Sequence, residues 1–558
     1  MRIETRASDS REPPQGEPAA RPASVAGGTS AAGGTGQGAL ARLLALIAAT
    51  RARRLLAAFA AGATLALSLP PFDLLPAVAA WSALLLVMMA GERRARRPLV
   101  ERALLGAAFG FGTHLASLWW VGAAFLVDAD VFGPLLPLGV VGLPLLLAPF
   151  HALALALVGF APRTVAWRAL ALAAAVGGTE FLRGVVFTGF PWNAAGVQLT
   201  SLPVLAQGAA LVGVAGLTPL AVLLGTLPAL IATRRSLWLA GPVVIAFAAL
   251  AAFGAHRLGS LPAPDPEAPA VRIVQPAVAQ ADKWDPAHRA EIWERLLSLT
   301  AGEGPGRAGV VLWPETAIPF LWRVPSVEQV DLAEALAGRT LVTGAVVVEA
   351  LPAGRRAFNS VLVIDPGGTV RQRYDKVRLV PFGEFLPLAP FLSRIGLRAL
   401  VENASDFSAG TERFPLDLPG LPPALPLICY EVIFPAGEAG PQVGLVVNVT
   451  NDAWFGDTPG PRQHLRHAQL RAIEGGIPVA RAANNGISAM IDGAGRVIAR
   501  LPLDVRGAFE APLPPRVAAP YGRLGDWPLL AFLAAVLVAG VALSSRRRAR
   551  DRRATRGS

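Results

Sequence analysis

Pro426-Leu-Ile-Cys-Tyr-Glu431 is a short apolar run that ends on Cys429, the only cysteine in 558 residues, with a carboxylate two positions beyond it. A single cysteine cannot close a disulfide within its own chain. Cys429 is therefore either an inert thiol in a core or a nucleophile. Apolar strands that end on a reactive side chain are typical of α/β domains, which carry their chemistry at strand ends. The rest of the chain has to decide between the two readings.

Composition divides the chain. Hydrophobic residues make up 53% and charged residues only 16%, against ~25% charged in an ordinary soluble domain. The charges are concentrated: long tracts hold almost none, while residues 256–526 have an ordinary globular composition. A membrane domain over 38–255 and a soluble domain over 256–526 follow, with a disordered, polar tail at 1–37. A further span at 527–545 and a basic tail at 546–558 complete the order. The net charge of +12 does not indicate nucleic-acid binding. Its arginines sit in short runs beside apolar tracts, and no basic stripe interleaved with aromatics occurs in the soluble part.

Seven apolar tracts, at about 54–70, 74–91, 103–127, 132–160, 167–189, 203–232 and 236–254, precede the soluble part, and an eighth follows at 527–544. Each approaches the ~20 residues needed to cross a bilayer, so about eight transmembrane helices are expected. Basic residues cluster in alternate loops: Arg51, Arg53 and Arg54; Arg93, Arg94, Arg96 and Arg97; Arg163 and Arg168; Arg234 and Arg235; and Arg546 to Arg553. The intervening loops, Pro70 to Asp73, Asp128 to Asp130 and Gly189 to Asn193, contain no Lys or Arg. The positive-inside rule then puts both termini in the cytoplasm and the soluble domain on the far side of a bacterial inner membrane, in the periplasm. Glu180 and Arg183 are charged residues within a tract, spaced i and i+3 so that they can pair. A headgroup-binding role for them is the alternative.

Strand and helix signals alternate through 256–526. Strands are expected at 271–275, 309–313, 340–348, 360–364, 370–374, 425–429, 444–449 and 479–482, and helices at 286–299, 326–338 and 462–475. Hairpin chemistry marks Asp365-Pro-Gly-Gly368 and Asp492-Gly-Ala-Gly495. The pattern is α/β with antiparallel hairpins, which points to a layered sandwich rather than a doubly wound sheet.

Three stretches carry candidate chemistry: Trp313-Pro-Glu-Thr316, Tyr374-Asp-Lys-Val377 and Ile428-Cys-Tyr-Glu431. A thiol attacking a carbonyl needs a base for its proton and a cation for the oxyanion, roles that Glu315 and Lys376 suit. His464 and His467 are spaced for one helix face, but no HExxH or cysteine cluster accompanies them, so no metal site is expected. No cofactor is expected either.

With these flanks, in this order and at spacings of 61 and 53 residues, the three stretches resemble the carbon–nitrogen hydrolase (nitrilase) superfamily. That resemblance implies an α-β-β-α sandwich with Glu315, Lys376 and Cys429 as a catalytic triad. The bracketing spans narrow the resemblance to the apolipoprotein N-acyltransferase family. Further matches support it: Thr188-Gly-Phe-Pro-Trp192, Lys283-Trp284, Phe358-Asn-Ser360, Pro381-Phe-Gly-Glu384, Asn451-Asp-Ala-Trp-Phe-Gly456, Gln463-His464 and Arg481-Ala-Ala-Asn484. It implies ping-pong transfer of an acyl chain from a phospholipid, through a Cys429 thioester, to the α-amine of a diacylglyceryl-modified apolipoprotein. Glu384, Glu431 and Tyr430 would support the triad, while Trp284, Asn359, Phe385, Trp454 and Phe455 would shape the acyl site. The apolar loop Phe382 to Leu392 would act as a lid dipping into the membrane. One triad per chain implies a working monomer. The alternative is a membrane-tethered nitrilase-like amidase that passes its thioester to water.

Overall fold

The computed structural model describes residues 45–263, 265–302, 306–351, 354–386, 394, 407–435 and 442–554. The tail at 1–37 and residues 387–392 of the expected lid lie outside the described residues.

The membrane half contains helices α1 (Arg51–Leu65), α2 (Ala80–Glu92), α3 (Pro98–Leu118), α4 (Leu136–Val158), α5 (Val165–Arg183), α6 (Ala209–Ile231) and α7 (Leu237–Gly259). Among the described residues, six helical stretches are long and apolar enough to cross a membrane. The other two expected spans fall short: α1 has 15 residues, and the apolar part of the last helix is Trp527–Leu543. Tract boundaries also shift, because backbone breaks interrupt apolar sequence. The third tract leaves the α-helix at Leu118 and continues as a 3-10 turn, Trp119–Leu126. The fifth ends at Arg183, beyond which Phe187 and Thr188 take φ of 53° and 74°.

Several basic residues used to orient the chain are engaged in buried ion pairs. Arg54 lies 2.7 Å from Glu101, and Arg168 lies 3.1 Å from Glu92. Glu180 and Arg183 do pair, at 3.5 Å. Both also bond the following loop: Arg183 donates to the carbonyls of Phe190 (2.6 Å) and Trp192 (3.0 Å), and Glu180 accepts from Ala195 N–H at 2.7 Å. The pair folds residues 189–195 back onto α5, which accounts for two charges in an apolar helix.

The second half is a sandwich of two sheets. Strands β1 (Ala270–Gln275), β2 (Ala308–Leu312), β3 (Thr340–Leu351), β4 (Gly354–Ile364), β5 (Val370–Asp375) and β11 (Gly507–Pro512) form one, in the order β11-β1-β2-β3-β4-β5. Strands β6 (Ala424–Ile428), β7 (Leu445–Thr450), β8 (Val479–Ala483), β9 (Ser488–Ile491) and β10 (Val497–Leu501) form the other, ordered β10-β9-β8-β7-β6. The parallel trios β1-β2-β3 and β6-β7-β8 are the near-continuous apolar runs of the sequence, as expected of strands buried on both faces. β11, flanked by Gly507 and Pro512, has no comparable sequence signal; it is specified by antiparallel pairing along β1.

Val271, Ile273, Val310 and Leu312 meet Ile428, Val447, Val449 and Met490 between the sheets. Helices α8 (Arg289–Ala301) and α9 (Val327–Leu336) cover the first sheet through Trp293, Leu296, Leu332 and Leu336. Helix α10 (Pro459–Gly475) lies on the second, and membrane-half residues Leu118, Trp120 and Trp192 join that same apolar cluster. The outer layer of the second sheet is therefore shared with the membrane half.

Gln463 fixes this junction. Its side-chain oxygen accepts from Trp120 (3.1 Å), Trp192 (3.0 Å) and Asn193 (2.9 Å), while its amide faces the carbonyls of Pro70 and Ser117. One α10 side chain thus ties together three membrane-half loops. The last helix, α11, runs from Trp527 through the arginine-rich end to Ala554.

Candidate active site

Glu315 sits just past β2 on a turn that the sequence folds tightly against β3. Gly344 makes this possible, since a Cβ there would come within 2.5 Å of the Glu315 Cα. Backbone bonds Gly344 N–H to Pro314 O (3.1 Å) and Ala317 N–H to Gly344 O (2.9 Å) lock the turn. Lys376 follows β5, and both residues are buried. Lys376 Nζ lies 3.3 Å from Glu315 Oε1 and 2.8 Å from Glu384 Oε1. Asn359, on β4, donates to the same two oxygens at 2.7 and 2.8 Å. Asn359 thus holds the carboxylates in register and is buried among them rather than lining an open acyl surface. Burial opposes the Lys376 charge, but Glu384 and then Glu315 outweigh it and hold the ammonium above the ordinary lysine range.

Cys429 corrects the expected strand at 425–429. β6 stops at Ile428, and Cys429 opens a single 3-10 turn, Cys429–Ile433, with φ of 47°. The left-handed conformation is costly for a residue with a Cβ and is held by its surroundings. Glu431 does the holding. It is fully buried and accepts from Ile428 N–H (2.9 Å), Val377 N–H (3.0 Å), Arg378 N–H (3.1 Å) and the Tyr374 hydroxyl (3.0 Å). One carboxylate therefore joins the cysteine turn to the segment that carries Lys376. Burial, then Glu315, push the Cys429 thiol up to about 12, against the pull of Lys376. The resting sulfur is therefore a thiol, which needs its proton removed as it attacks.

Three buried groups lie behind the cysteine that the sequence offered only as parts of matching stretches. His464 places Nδ1 2.7 Å from Asp452 and Nε2 3.1 Å from the Cys429 carbonyl oxygen. Arg481 donates to Asp452 at 2.7 Å. Burial works to raise the Asp452 pKa, but Arg481 and then His464 bring it to about 2. An arginine in the middle of Val479-Ala-Arg-Ala-Ala483 was the available signal, because a charge inside an apolar strand needs a buried partner. His467 packs at a tilt against Trp192, with ring centroids 5.2 Å apart.

Lys283 is the other site residue the sequence left without a role. It is buried, and its ammonium donates to the Glu315 main-chain carbonyl at 3.0 Å. Burial lowers its pKa to about 8, with Glu315 and Cys429 offsetting part of that cost.

The remaining expected residues lie at different depths. Trp284 and Trp454 are 48% and 42% exposed. Phe455 packs edge-on against Trp120, with centroids 4.7 Å apart. Tyr430 is buried, stacks against Phe190, meets Phe434 edge to face, and donates to Gly189 O at 2.7 Å. Phe385 closes a tight turn by accepting from Phe382 N–H at 2.8 Å, and Glu384 lies within that turn.

Both halves of the chain are similar to known proteins. Residues 270–521 match the model of the carbon-nitrogen hydrolase family, and residues 61–227 match that of the apolipoprotein N-acyltransferase N-terminal domain. An apolipoprotein N-acyltransferase of Brucella suis is 42% identical over 516 residues, covering 89% of this chain and 97% of that protein. The enzyme of the same name from Bradyrhizobium diazoefficiens is 42% identical over 529 residues, covering 91% and 98%. Among solved structures, a carbon–nitrogen hydrolase superfamily protein of Xanthomonas campestris aligns at a TM-score of 0.33 and 20% identity, over 48% of this chain and 97% of that one. An amidase from Nesterenkonia aligns at 0.32 and 21%, over 46% and 93%.

Proposed function

The chain belongs to the apolipoprotein N-acyltransferase family, and from that premise we propose that it transfers an acyl chain from a phospholipid to an apolipoprotein amine through Glu315, Lys376 and Cys429. The observation that carries the reading is the sharing of Glu315 Oε1 between Lys376 and Asn359, beside a cysteine whose thiol feels both Glu315 and Lys376.

In the first half-reaction, Cys429 Sγ attacks the ester carbonyl of the phospholipid as Glu315 takes the thiol proton. Lys376 and the N–H after Cys429 stabilise the oxyanion. A group of that kind is worth ~10²–10³ in rate. Collapse breaks the ester C–O bond, the proton passes from Glu315 to the departing lysophospholipid oxygen, and a thioester remains. In the second half, the α-amine of the S-diacylglyceryl cysteine attacks the thioester. Glu315 takes an amine proton, the C–S bond breaks, and the proton returns to sulfur. Glu384 orients Lys376, and Glu431 holds the cysteine turn beside it. Trp284, Trp454, Phe455 and Phe385 form the lipid-facing rim.

The distribution of basic loops supports both termini in the cytoplasm and the 256–526 domain in the periplasm, across a bacterial inner membrane. A single set of reacting groups per chain supports a monomer.

Incubation of the purified protein with acyl-labelled phospholipid tests the reading. Label should appear on Cys429 and then move to a diacylated lipopeptide, and Glu315→Gln should block the first step. Label undiminished in Cys429→Ser, or release of free acid with no transfer, overturns it.

A further inference from the structure

The site has one more cation than a Glu-Lys-Cys arrangement requires. Lys376 is already engaged by two carboxylates, Glu384 at 2.8 Å and Glu315 at 3.3 Å. Lys283, on the turn between β1 and α8, is 4% exposed, and its hydrogen bond goes to a neutral acceptor, the Glu315 carbonyl at 3.0 Å. Among the described residues, no carboxylate stands within ion-pair distance of its ammonium. A buried charge without an anion in hydrogen-bond contact is costly, and an interaction that strengthens only as an anion forms beside it favours the transition state.

We propose that Lys283 is a second active-site cation, which stabilises the negative charge that develops on Cys429 and on the substrate carbonyl oxygen during acyl transfer. The inference rests on the reading of Cys429 as the acyl carrier. Its logic is differential. Before reaction, Glu315 and Glu384 spend the charge of Lys376, and Lys283 has only a peptide oxygen. As the tetrahedral intermediate forms, Glu315 becomes protonated and the new anion lies within the field of Lys283, so stabilisation appears in the transition state and not before it. The groups that act on the Lys283 charge are Glu315, after β2, and then Cys429, after β6. Around those two stand Lys376, after β5, with Glu384, and Asp452, after β7, with Arg481 and with His464, which reaches the Cys429 carbonyl. The same burial that isolates Lys283 brings its titration to about 8, so its charge is lost within an accessible pH range.

The test is the first half-reaction alone, read as transfer of labelled acyl chain from phospholipid vesicles to the full-length protein. Lys283→Met is expected to slow acylation about 100-fold at pH 7 with little change in the lipid concentration for half-maximal rate. In the wild type the rate should fall as pH rises past about 8. In Lys283→Arg, whose guanidinium stays charged, that fall should move to higher pH. A purely structural lysine would not move the limb. Less than a threefold loss in a folded Lys283→Met, or a limb at the same pH in Lys283→Arg as in the wild type, overturns the proposal. If Lys283→Met does not fold, the two pH profiles decide. Cys429→Ser separates the premise from the inference. Label persisting on that variant overturns the acyl-carrier reading itself, whereas label lost there with an unmoved limb overturns only the role of Lys283.

Discussion

The hydroxyl of Tyr430, the residue after the candidate nucleophile, donates to the main-chain carbonyl of Gly189 at 2.7 Å. The cysteine turn of the catalytic half is thus bonded directly to the loop that follows a membrane helix. Gly189 itself has φ of 84°, and a Cβ there would lie 2.2 Å from the Gly184 carbonyl oxygen, so the loop carrying this acceptor requires glycine at that position.

Tyr430→Phe keeps the ring contacts with Phe190 and Phe434 and removes only this bond. It should cost about 1 kcal/mol in stability and slow lipopeptide acylation by up to about tenfold. Thermal unfolding in detergent and a labelled-lipopeptide assay read the two effects. Unchanged transfer would show that the bond holds the two halves together without setting the position of the sulfur.

Gln463 has the larger structural task. Gln463→Leu strands the indole N–H of Trp192 and the Asn193 amide in an apolar cluster, while the Trp120 N–H keeps its bond to Ser117 O. At ~1–3 kcal/mol for each unsatisfied buried group, the loss should reach several kcal/mol. A large fall in Tm with faster proteolysis between residues 256 and 526 is expected, and a variant with wild-type Tm would contradict it.

The two supporting carboxylates should separate by phenotype. Glu431 is fully buried and accepts three backbone N–H bonds and a phenol. Glu431→Gln replaces an acceptor by a donor facing donors and should destabilise by about 3 kcal/mol. Glu384 lies closer to the surface and acts on Lys376. Glu384→Gln should cost little stability but slow acylation about 100-fold. Urea or thermal unfolding set beside the acylation rate distinguishes them, and equal stability losses would refute the division.

Much of this was legible in the chain. Glu315 and Cys429 lie after apolar strands whose residues fill the sandwich core, and Lys376 follows the half-polar β5, which adds Tyr374 to that core; sequence pattern located most of those strands. β11 escaped because Gly507 and Pro512 dilute its apolar signal and its partner is more than 230 residues away. The left-handed turn at Cys429 escaped because it is set by Glu431 reaching back to Ile428 and across to Val377, a tertiary arrangement with no local pattern. Lys283 and Arg481 were visible as charges beside apolar stretches, but spacing carries no information about which anion, if any, each one meets.

The pH dependence of stability is where Lys283 should announce itself. Its folded pKa, about 8, is depressed from 10.5 by burial. Between these values the unfolded chain holds the proton that the folded chain has lost, so stability rises with pH through that window. Below pH 8 the full penalty remains, on the order of 3 kcal/mol. Lys283→Met should therefore unfold at a higher temperature than the wild type at pH 7, with the difference shrinking toward pH 10. Greater stability with poorer activity marks a group kept for chemistry. A variant less stable than the wild type at pH 7 would mean that the bond to Glu315 outweighs the cost of burying the charge.

The lid can be tested on its described part. Phe382 is 61% exposed, and the turn from Val380 to Phe385 is closed by Glu384 N–H on Val380 O (2.9 Å) and Phe382 N–H on Phe385 O (2.8 Å). Glu384 belongs to that turn while touching Lys376, so displacement of the apolar edge moves a group bonded to the candidate site. Phe385→Ser and Leu386→Ser should therefore slow acylation from bilayer phospholipid about tenfold or more, with a much smaller effect on a short-chain soluble ester. The bilayer substrate needs an apolar surface to enter on, and the soluble ester does not. Parallel rates on the two donors provide the measurement. Equal losses on both would make the turn a support for Glu384 and remove the case for a lipid-admitting lid.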